Sequence, residues 1–277
     1  MSNLTGLPTG SCILVTGANG FIASYVINTL LQLEYRVRGT VRTAKPWLDA
    51  FFENKFGRGV FESFVLPDFE NPKMLDNCMN GIAGVVHTVV RAVENVLEAV
   101  YRYPSVKRFV MILSSAAALI PAINQKGNEA AVKAVRNSNT KPNEKVIVLL
   151  RLLANKWLRN GLEGIILVLY LIRSFRTLTG GRISKMLNCF NVLEYYVDVT
   201  DTARLYAIAL LVPNVRLQRI FVFAGPLNMT DIISTLRELR PDYNFDDPKL
   251  NKGRDLTDVT LAAKAEKLLE EFFGQKG

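Results

Sequence analysis

Short apolar runs alternate with amphipathic stretches along the first two-thirds of the chain. The pattern predicts strands at residues 13–15, 36–41, 61–66, 84–88 and 108–114. Between them fall helical periodicities: one through Val26, Leu30 and Leu31, one over 73–79 and one over 91–103. Strands this short and this continuously apolar suit a parallel sheet buried on both faces. Their alternation with helices predicts an α/β chain with a doubly wound parallel sheet. Further on, 146–160 reads as a helix and 165–172 as a sixth strand. A helix (200–211), a short strand (219–223) and a helix (229–239) follow. A polar stretch with Pro and Asp occupies 241–258, and a last helix, 260–273, ends at Gly274.

The junction of the first strand and helix carries the most specific chemistry. Gly17-x-x-Gly20-x-x-Ala23 lets the backbone turn tightly, approach a pyrophosphate and pack helix on strand. The helix N-terminus then offers free N–H groups to an anion. Gly17, Asn19, Gly20, Phe21, Ile22 and Ala23 are the expected contacts, and glycines serving only a tight turn are the plainer alternative. A second strand about 20 residues on strengthens the nucleotide reading. That strand ends Arg38-Gly-Thr-Val-Arg42, with Lys45 behind it and no acid before Asp49. An acid there would suit the ribose 2′-hydroxyl of NAD, whereas Arg suits the 2′-phosphate of NADP(H). Arg42 is the candidate clamp with Lys45 beside it, since guanidinium binds phosphate in a bidentate fork. An exposed arginine after a strand is the alternative. Asp68, after the third strand, is placed to accept from an adenine amine or to serve simply as a loop aspartate. The expected division is a dinucleotide-binding domain at 1–172 and a mixed part at 173–277, contributing to the core and a small C-terminal substrate lobe.

Composition narrows the class without changing it. The 277 residues are 49% hydrophobic and 21% charged, ordinary for a globular protein. Three cysteines without CxxC spacing argue against a disulfide framework or a zinc site and for a reducing compartment. The N-terminus lacks a signal-peptide pattern. The most apolar stretch, 165–172, is far shorter than the about 20 residues that span a bilayer. A cytoplasmic protein with no membrane partner is the expectation. The net charge of +9 is scattered, with no basic run beside stacked aromatics. It therefore predicts no nucleic-acid partner.

Several runs together resemble one family. They are Leu14-Val-Thr-Gly-Ala-Asn-Gly-Phe-Ile-Ala23, Val37-Arg-Gly-Thr-Val-Arg42, Gly84-Val-Val-His-Thr88, and Pro104-Ser-Val-Lys-Arg-Phe-Val110 with Ser114-Ser115. Val197-Asp-Val-Thr-Asp-Thr-Ala-Arg-Leu205, Arg219-Ile-Phe-Val-Phe-Ala-Gly-Pro226 and Gly253-Arg-Asp-Leu256 extend the likeness to roughly residues 11–270. The chain resembles the extended short-chain dehydrogenase/reductases, in their dihydroflavonol-reductase and cinnamoyl-CoA-reductase-like branch. It is closest in look to fungal ketoreductases and aldehyde reductases of secondary metabolism. The resemblance implies a Rossmann-like fold and an NADP(H)-dependent reductase of a carbonyl in a small apolar metabolite, monomeric or homodimeric. It also implies that His87 and Thr88 border the cofactor and that Ser115 polarises the carbonyl. A strand-end or capping serine is the alternative for Ser115.

Two departures stand out. The family's Tyr-x-x-x-Lys, which protonates the substrate and holds the ribose, maps onto Ile147-Val-Leu-Leu-Arg151. Ile147 has no proton to give, and Arg151 keeps only the charge. The family's Pro-Asn after the next strand is replaced by Tyr170-Leu171. Between Thr88 and Arg91 the chain also lacks a loop of some tens of residues that usually borders the nicotinamide, and the chain stops early. A pseudoenzyme, a changed chemistry or missing exon sequence would each account for these losses. His87, the only histidine, titrates in the right range to replace the acid, although a structural place beside the cofactor is the simpler reading. Tyr170, Tyr195 and Tyr196 lack a lysine at the required spacing. The alternative function is a cofactor-binding pseudoenzyme or a non-redox catalyst such as a cyclase.

Overall fold

The computed structural model describes residues 5–88, 93–114, 163–169, 193–216, 218–245 and 259–275. Within these, seven parallel strands form one sheet. They are β1 (Cys12–Val15), β2 (Arg36–Val41), β3 (Phe61–Val65), β4 (Ile82–His87), β5 (Arg108–Ser114), β6 (Glu163–Leu169) and β8 (Arg219–Val222). Their order is β3-β2-β1-β4-β5-β6-β8. The chain winds outward from β1 to β3, then returns to the other side of β1 with β4. The reversal leaves a crevice outside the carboxyl ends of β1 and β4, the place where open α/β sheets bind ligands.

Alternation along each strand divides the core into two layers. Ile13 and Val15 point to one face, with α1 (Phe21–Gln32), α2 (Pro46–Phe56), α5 (Val199–Leu211) and α7 (Ala263–Phe273). Leu14, Val85 and Phe109 point to the other, with α3 (Pro72–Met79) and α4 (Val93–Arg102). Helices thus cover both faces, as the continuously apolar strands require. Polar side chains start three of the helices. Asn71 caps α3 ahead of Pro72, Asp198 caps α5, and Asn228 and Asp231 form a reciprocal capping box on α6 (Met229–Leu239). Among the described residues no helix is long and apolar enough to cross a membrane.

The sequence expectations shift in detail. β1 starts one residue earlier, at Cys12, and β4 runs from Ile82 to His87 instead of 84–88. β6 begins at Glu163, while 170–172 and the expected helix 146–160 lie outside the described residues. The final helix is preceded by a 3₁₀ turn, Thr260–Ala262. The chain also forms a pairing that its pattern did not reveal: β7 (Leu193–Tyr196) runs antiparallel to β9 (Gly225–Asn228). Gly225-Pro226 reads as a turn by propensity. On an edge strand, however, proline forfeits no needed ladder bond.

Two buried groups make the fold sensitive to alkali. Burial pushes the Cys78 thiol up to about 12 and the Tyr206 phenol well above its usual range; the Tyr206 hydroxyl has no hydrogen-bond partner among the described residues. An unfolded chain releases these protons near pH 9 and 10, whereas the folded chain retains them. The stability they confer is complete below about pH 9 and falls as pH rises toward about 12. Urea unfolding across that window is expected to show the decline, with a shallower slope in Cys78→Ala. An unchanged slope would assign the alkaline loss to other groups.

Candidate cofactor site

The turn after β1 is fastened on both sides by threonines. On the β2 side, Gly17 N–H donates to Thr40 Oγ1 (3.1 Å) and Ala18 N–H to the Thr40 carbonyl (2.8 Å). On the β4 side, Thr88 N–H donates to Thr16 Oγ1 (3.1 Å) and the Thr88 hydroxyl to the Thr16 carbonyl (2.6 Å). Thr16 Oγ1 also lies 3.0 Å from His87 Nδ1. Gly17 adopts φ +67°, which a side chain would strain, and Gly20 N–H closes the turn onto the Gly17 carbonyl at 2.8 Å.

The helix that follows is left open to an anion. Gly20 caps α1 without a side chain, and the first turn holds no acid. Its first intrahelical bond runs from Ser24 N–H to the Gly20 carbonyl. The N–H groups of Phe21, Ile22 and Ala23 therefore precede the ladder and have no partner among the described residues. Three unpaired donors and an uncompensated helix dipole suit a phosphate. A Cβ at Gly20 would stand 3.0 Å from the Gly17 carbonyl oxygen, narrowing the turn a pyrophosphate must approach. Asn19 is exposed at the tip and Ala23 is buried against the core.

The carboxyl end of β2 supplies the cations. Arg42 is exposed and Lys45 half-buried, and among the described residues neither side chain has an ion pair or hydrogen bond. Neighbouring charges are already engaged. Arg38 pairs with Glu62 at 2.6 Å and donates to the carbonyls of Cys78 and Asn80. Asp49, the nearest acid in sequence after the strand, turns to β3 and accepts from Ser63 N–H (2.7 Å) and its hydroxyl (2.6 Å). The Asp49 carboxylate is therefore turned away from a ribose hydroxyl, and Glu53, the other acid of α2, pairs with Arg58 at 2.7 Å. Asp68 is exposed beyond β3 and accepts from Glu70 N–H at 2.8 Å, so one oxygen is spent on its own loop.

His87 ends β4 fully buried, edge-on to Phe69 and stacked on Phe109. Enclosed in this way, it has the surroundings of a packing residue. Ser115, Ile147, Arg151 and Tyr170 lie outside the described residues. Tyr195 packs edge-on to Phe223, and the Tyr196 ring lies over Gly225 on the β7–β9 pair, which starts three residues beyond β8.

Sequence reasoning passed over three supports of the turn: Thr16, Gly39 and Thr40. Gly39 carried a legible signal, since glycine inside a strand marks a close approach. A Cβ there would lie 2.6 Å from Ala18 Cβ and 2.9 Å from the Phe61 ring. Gly39→Ala is expected to displace the turn, costing about 1–3 kcal/mol of stability and weakening nucleotide binding. Thermal unfolding with and without nucleotide checks both effects; wild-type values on both counts would mean the sheet absorbs the methyl group.

Comparison with known proteins places this geometry in a family. Residues 13–140 match the model of the NAD dependent epimerase/dehydratase family. Ketoreductase nvfG of Aspergillus novofumigatus is 32% identical over 98% of this chain and 93% of its own length. Ketoreductase adrE of Penicillium rubens is 35% identical over the same shares. The first alignment runs over 324 positions and the second over 315, against 277 residues here. Both relatives therefore carry residues facing gaps in this chain. Among solved structures, the yeast methylglyoxal/isovaleraldehyde reductase Gre2, complexed with NADPH, superimposes with a TM-score of 0.65 at 22% identity. That likeness spans 93% of this chain and 92% of Gre2. With two near-full-length relatives above 30% identity and the family's glycine turn in place, the chain belongs to the NAD dependent epimerase/dehydratase family, the extended short-chain dehydrogenase/reductases.

Proposed function

We propose that this protein is an NADP(H)-dependent reductase of a carbonyl in a small, apolar metabolite. The observation that carries the reading is the pairing of an open α1 N-terminus with Arg42 and Lys45, whose side chains have no partner among the described residues. The naming of its relatives as ketoreductases and of Gre2 as an NADPH complex supports it. In this reading the N–H groups of Phe21, Ile22 and Ala23 receive the pyrophosphate, with Gly17, Asn19 and Gly20 shaping the turn. Arg42 and Lys45 hold the 2′-phosphate, Asp68 offers its second oxygen to the adenine amine, and His87 and Thr88 buttress the turn from the β4 side. Bound NADPH supplies the hydride. The negative charge that develops on the carbonyl oxygen needs a donor. Ser115 provides a hydroxyl for it, and water supplies the proton in place of the family's tyrosine. The part around 173–277 contributes the substrate lobe.

Arg42→Ala is expected to lower NADPH affinity by one to two decades, since a charge-assisted contact contributes about 1.5–3 kcal/mol. NADH affinity stays nearly unchanged. Calorimetric titration of both cofactors decides, and equal losses would remove Arg42 from the 2′-phosphate.

A second reading has its own support: Ile147 and Arg151 stand at the family's catalytic pair, and both relatives exceed the chain in aligned length. It makes the protein a cofactor-binding pseudoenzyme or a non-redox catalyst such as a cyclase. NADPH oxidation assayed against aromatic ketones and aldehydes, beside a direct binding titration, separates the two. Binding without turnover on any substrate favours the second.

A further inference from the structure

The loop after β3 is tied down from outside itself. It carries Asp68, which the proposed function sets against the adenine amine. Asp68 is exposed and spends one carboxylate oxygen on Glu70 N–H at 2.8 Å. That bond fixes the side chain to its own turn but not the turn to the sheet. The second step falls to Phe69. Its ring stands edge-on to His87 at the end of β4, with centroids 6.1 Å apart, and His87 Nδ1 in turn lies 3.0 Å from Thr16 Oγ1 under the glycine turn. The Phe69 carbonyl accepts from Asn95 Nδ2 at 3.2 Å. Asn95 is half-buried on α4, a helix seated in the core by Val96, Leu97 and Val100. The donor is thus held by a packed element and not by another loop.

Resting on the cofactor site proposed above, we propose that Asn95 is a positioning residue for base recognition. By holding the Phe69 carbonyl it sets the place of the preceding Asp68 carboxylate, so that the cofactor's adenine is told apart by its amine. A carboxylate only accepts hydrogen bonds, so it suits an exocyclic N–H and opposes a carbonyl oxygen at the same spot. Hypoxanthine carries that carbonyl in place of the amine. Without the Asn95 donor the Phe69 carbonyl is left to water and the loop gains room to shift. The Asp68 carboxylate then meets either base through solvent, with little preference. The N–H groups of α1 and the cations after β2 stand on other elements, so the pyrophosphate and the 2′-phosphate keep their contacts.

The test is calorimetric titration of the full chain with NADPH, NADH and reduced nicotinamide hypoxanthine dinucleotide phosphate, which differs from NADPH only in the base. Wild type is expected to favour NADPH over the hypoxanthine analogue by about tenfold, the effect of one charge-assisted hydrogen bond at an exposed carboxylate. In Asn95→Ala that preference falls below about threefold, while the preference for NADPH over NADH stays at its wild-type value. Asn95→Asp, which puts an acceptor where the donor stood, is expected to behave alike. In an Asp68→Ala background, Asn95→Ala changes the base preference no further. A wild-type base preference in both Asn95 variants would overturn the inference. So would an equal loss of both preferences, which marks a general loosening of the fold. NADPH binding by wild type without preference between the bases would also overturn it, while leaving the site at the glycine turn standing. Absence of NADPH binding would sink that site as well.

Discussion

Replacing Ile147 with Tyr and Arg151 with Lys in one chain is expected to raise carbonyl reduction by about 10²–10⁴-fold, the usual contribution of a positioned proton donor. On the barrier this is roughly 3–5 kcal/mol. Hydride addition leaves charge on the substrate oxygen. A tyrosine hydroxyl within reach of that oxygen meets the charge, and a neighbouring lysine keeps the phenol acidic enough to do so. Neither isoleucine nor arginine can act in that way, so under the proposed function water supplies the proton and the wild-type rate is expected to be low. Each single change is expected to give little, because the lysine acts through the tyrosine. The measurement is kcat for NADPH-dependent reduction of an aromatic ketone in wild type, both single variants and the double variant. A wild-type rate typical of reductases, lost in Ser115→Ala yet indifferent to the double change, would show that these two positions are misassigned and that another acid serves the reaction.

How far the sequence speaks depends on how local each determinant is. The glycine turn was legible because strand, turn and helix lie within about 20 contiguous residues, and each glycine answers a local backbone demand. Gly17 at φ +67° is one such case. The parallel, doubly wound sheet was legible as a class, since continuously apolar runs exclude a half-exposed sheet. Thr16, Gly39 and Thr40 were harder to see. Their partners, His87, Thr88 and Ala18, are distant in sequence or unremarkable in composition, and only strand pairing brings them together. The β7–β9 pair escaped for a related reason: strands of four residues, one of them opening Gly-Pro, carry no periodic signal, and distant pairing decides their state. Asp49 shows the gain in the other direction. From sequence it was only the first acid after β2; the fold spends both its oxygens on Ser63. The geometry of the glycine turn was thus readable, while the positions expected to do chemistry, Ser115, Ile147 and Arg151, rest on the resemblance.

Arg108→Leu is expected to be the most destabilising single change in the described structure. Arg108 opens β5 and is 1% exposed, an unusual place for a cation. Its guanidinium reaches the end of α5, donating to the carbonyls of Val215 at 3.0 Å and of Val212. The last carbonyls of a helix have no intrahelical partner, and a buried helix end must find one elsewhere. Here the positive charge also faces the negative end of the helix dipole. Leucine fills much of the volume but leaves the buried Val215 carbonyl without this donor and the Val212 carbonyl with only the Val215 N–H, at 3.1 Å. With hydrogen bonds to charged groups contributing about 1.5–3 kcal/mol each, the loss is about 3–5 kcal/mol. Lysine would keep the charge but not the fork that spans two carbonyls, so Arg108→Lys is expected to fall between wild type and Leu. The site lies at the amino end of β5, opposite the crevice, so cofactor affinity of the folded fraction should be unchanged. Chemical denaturation of the three proteins, read beside an NADPH titration, checks both halves. Wild-type stability in Arg108→Leu would show that the end of α5 is satisfied without the guanidinium.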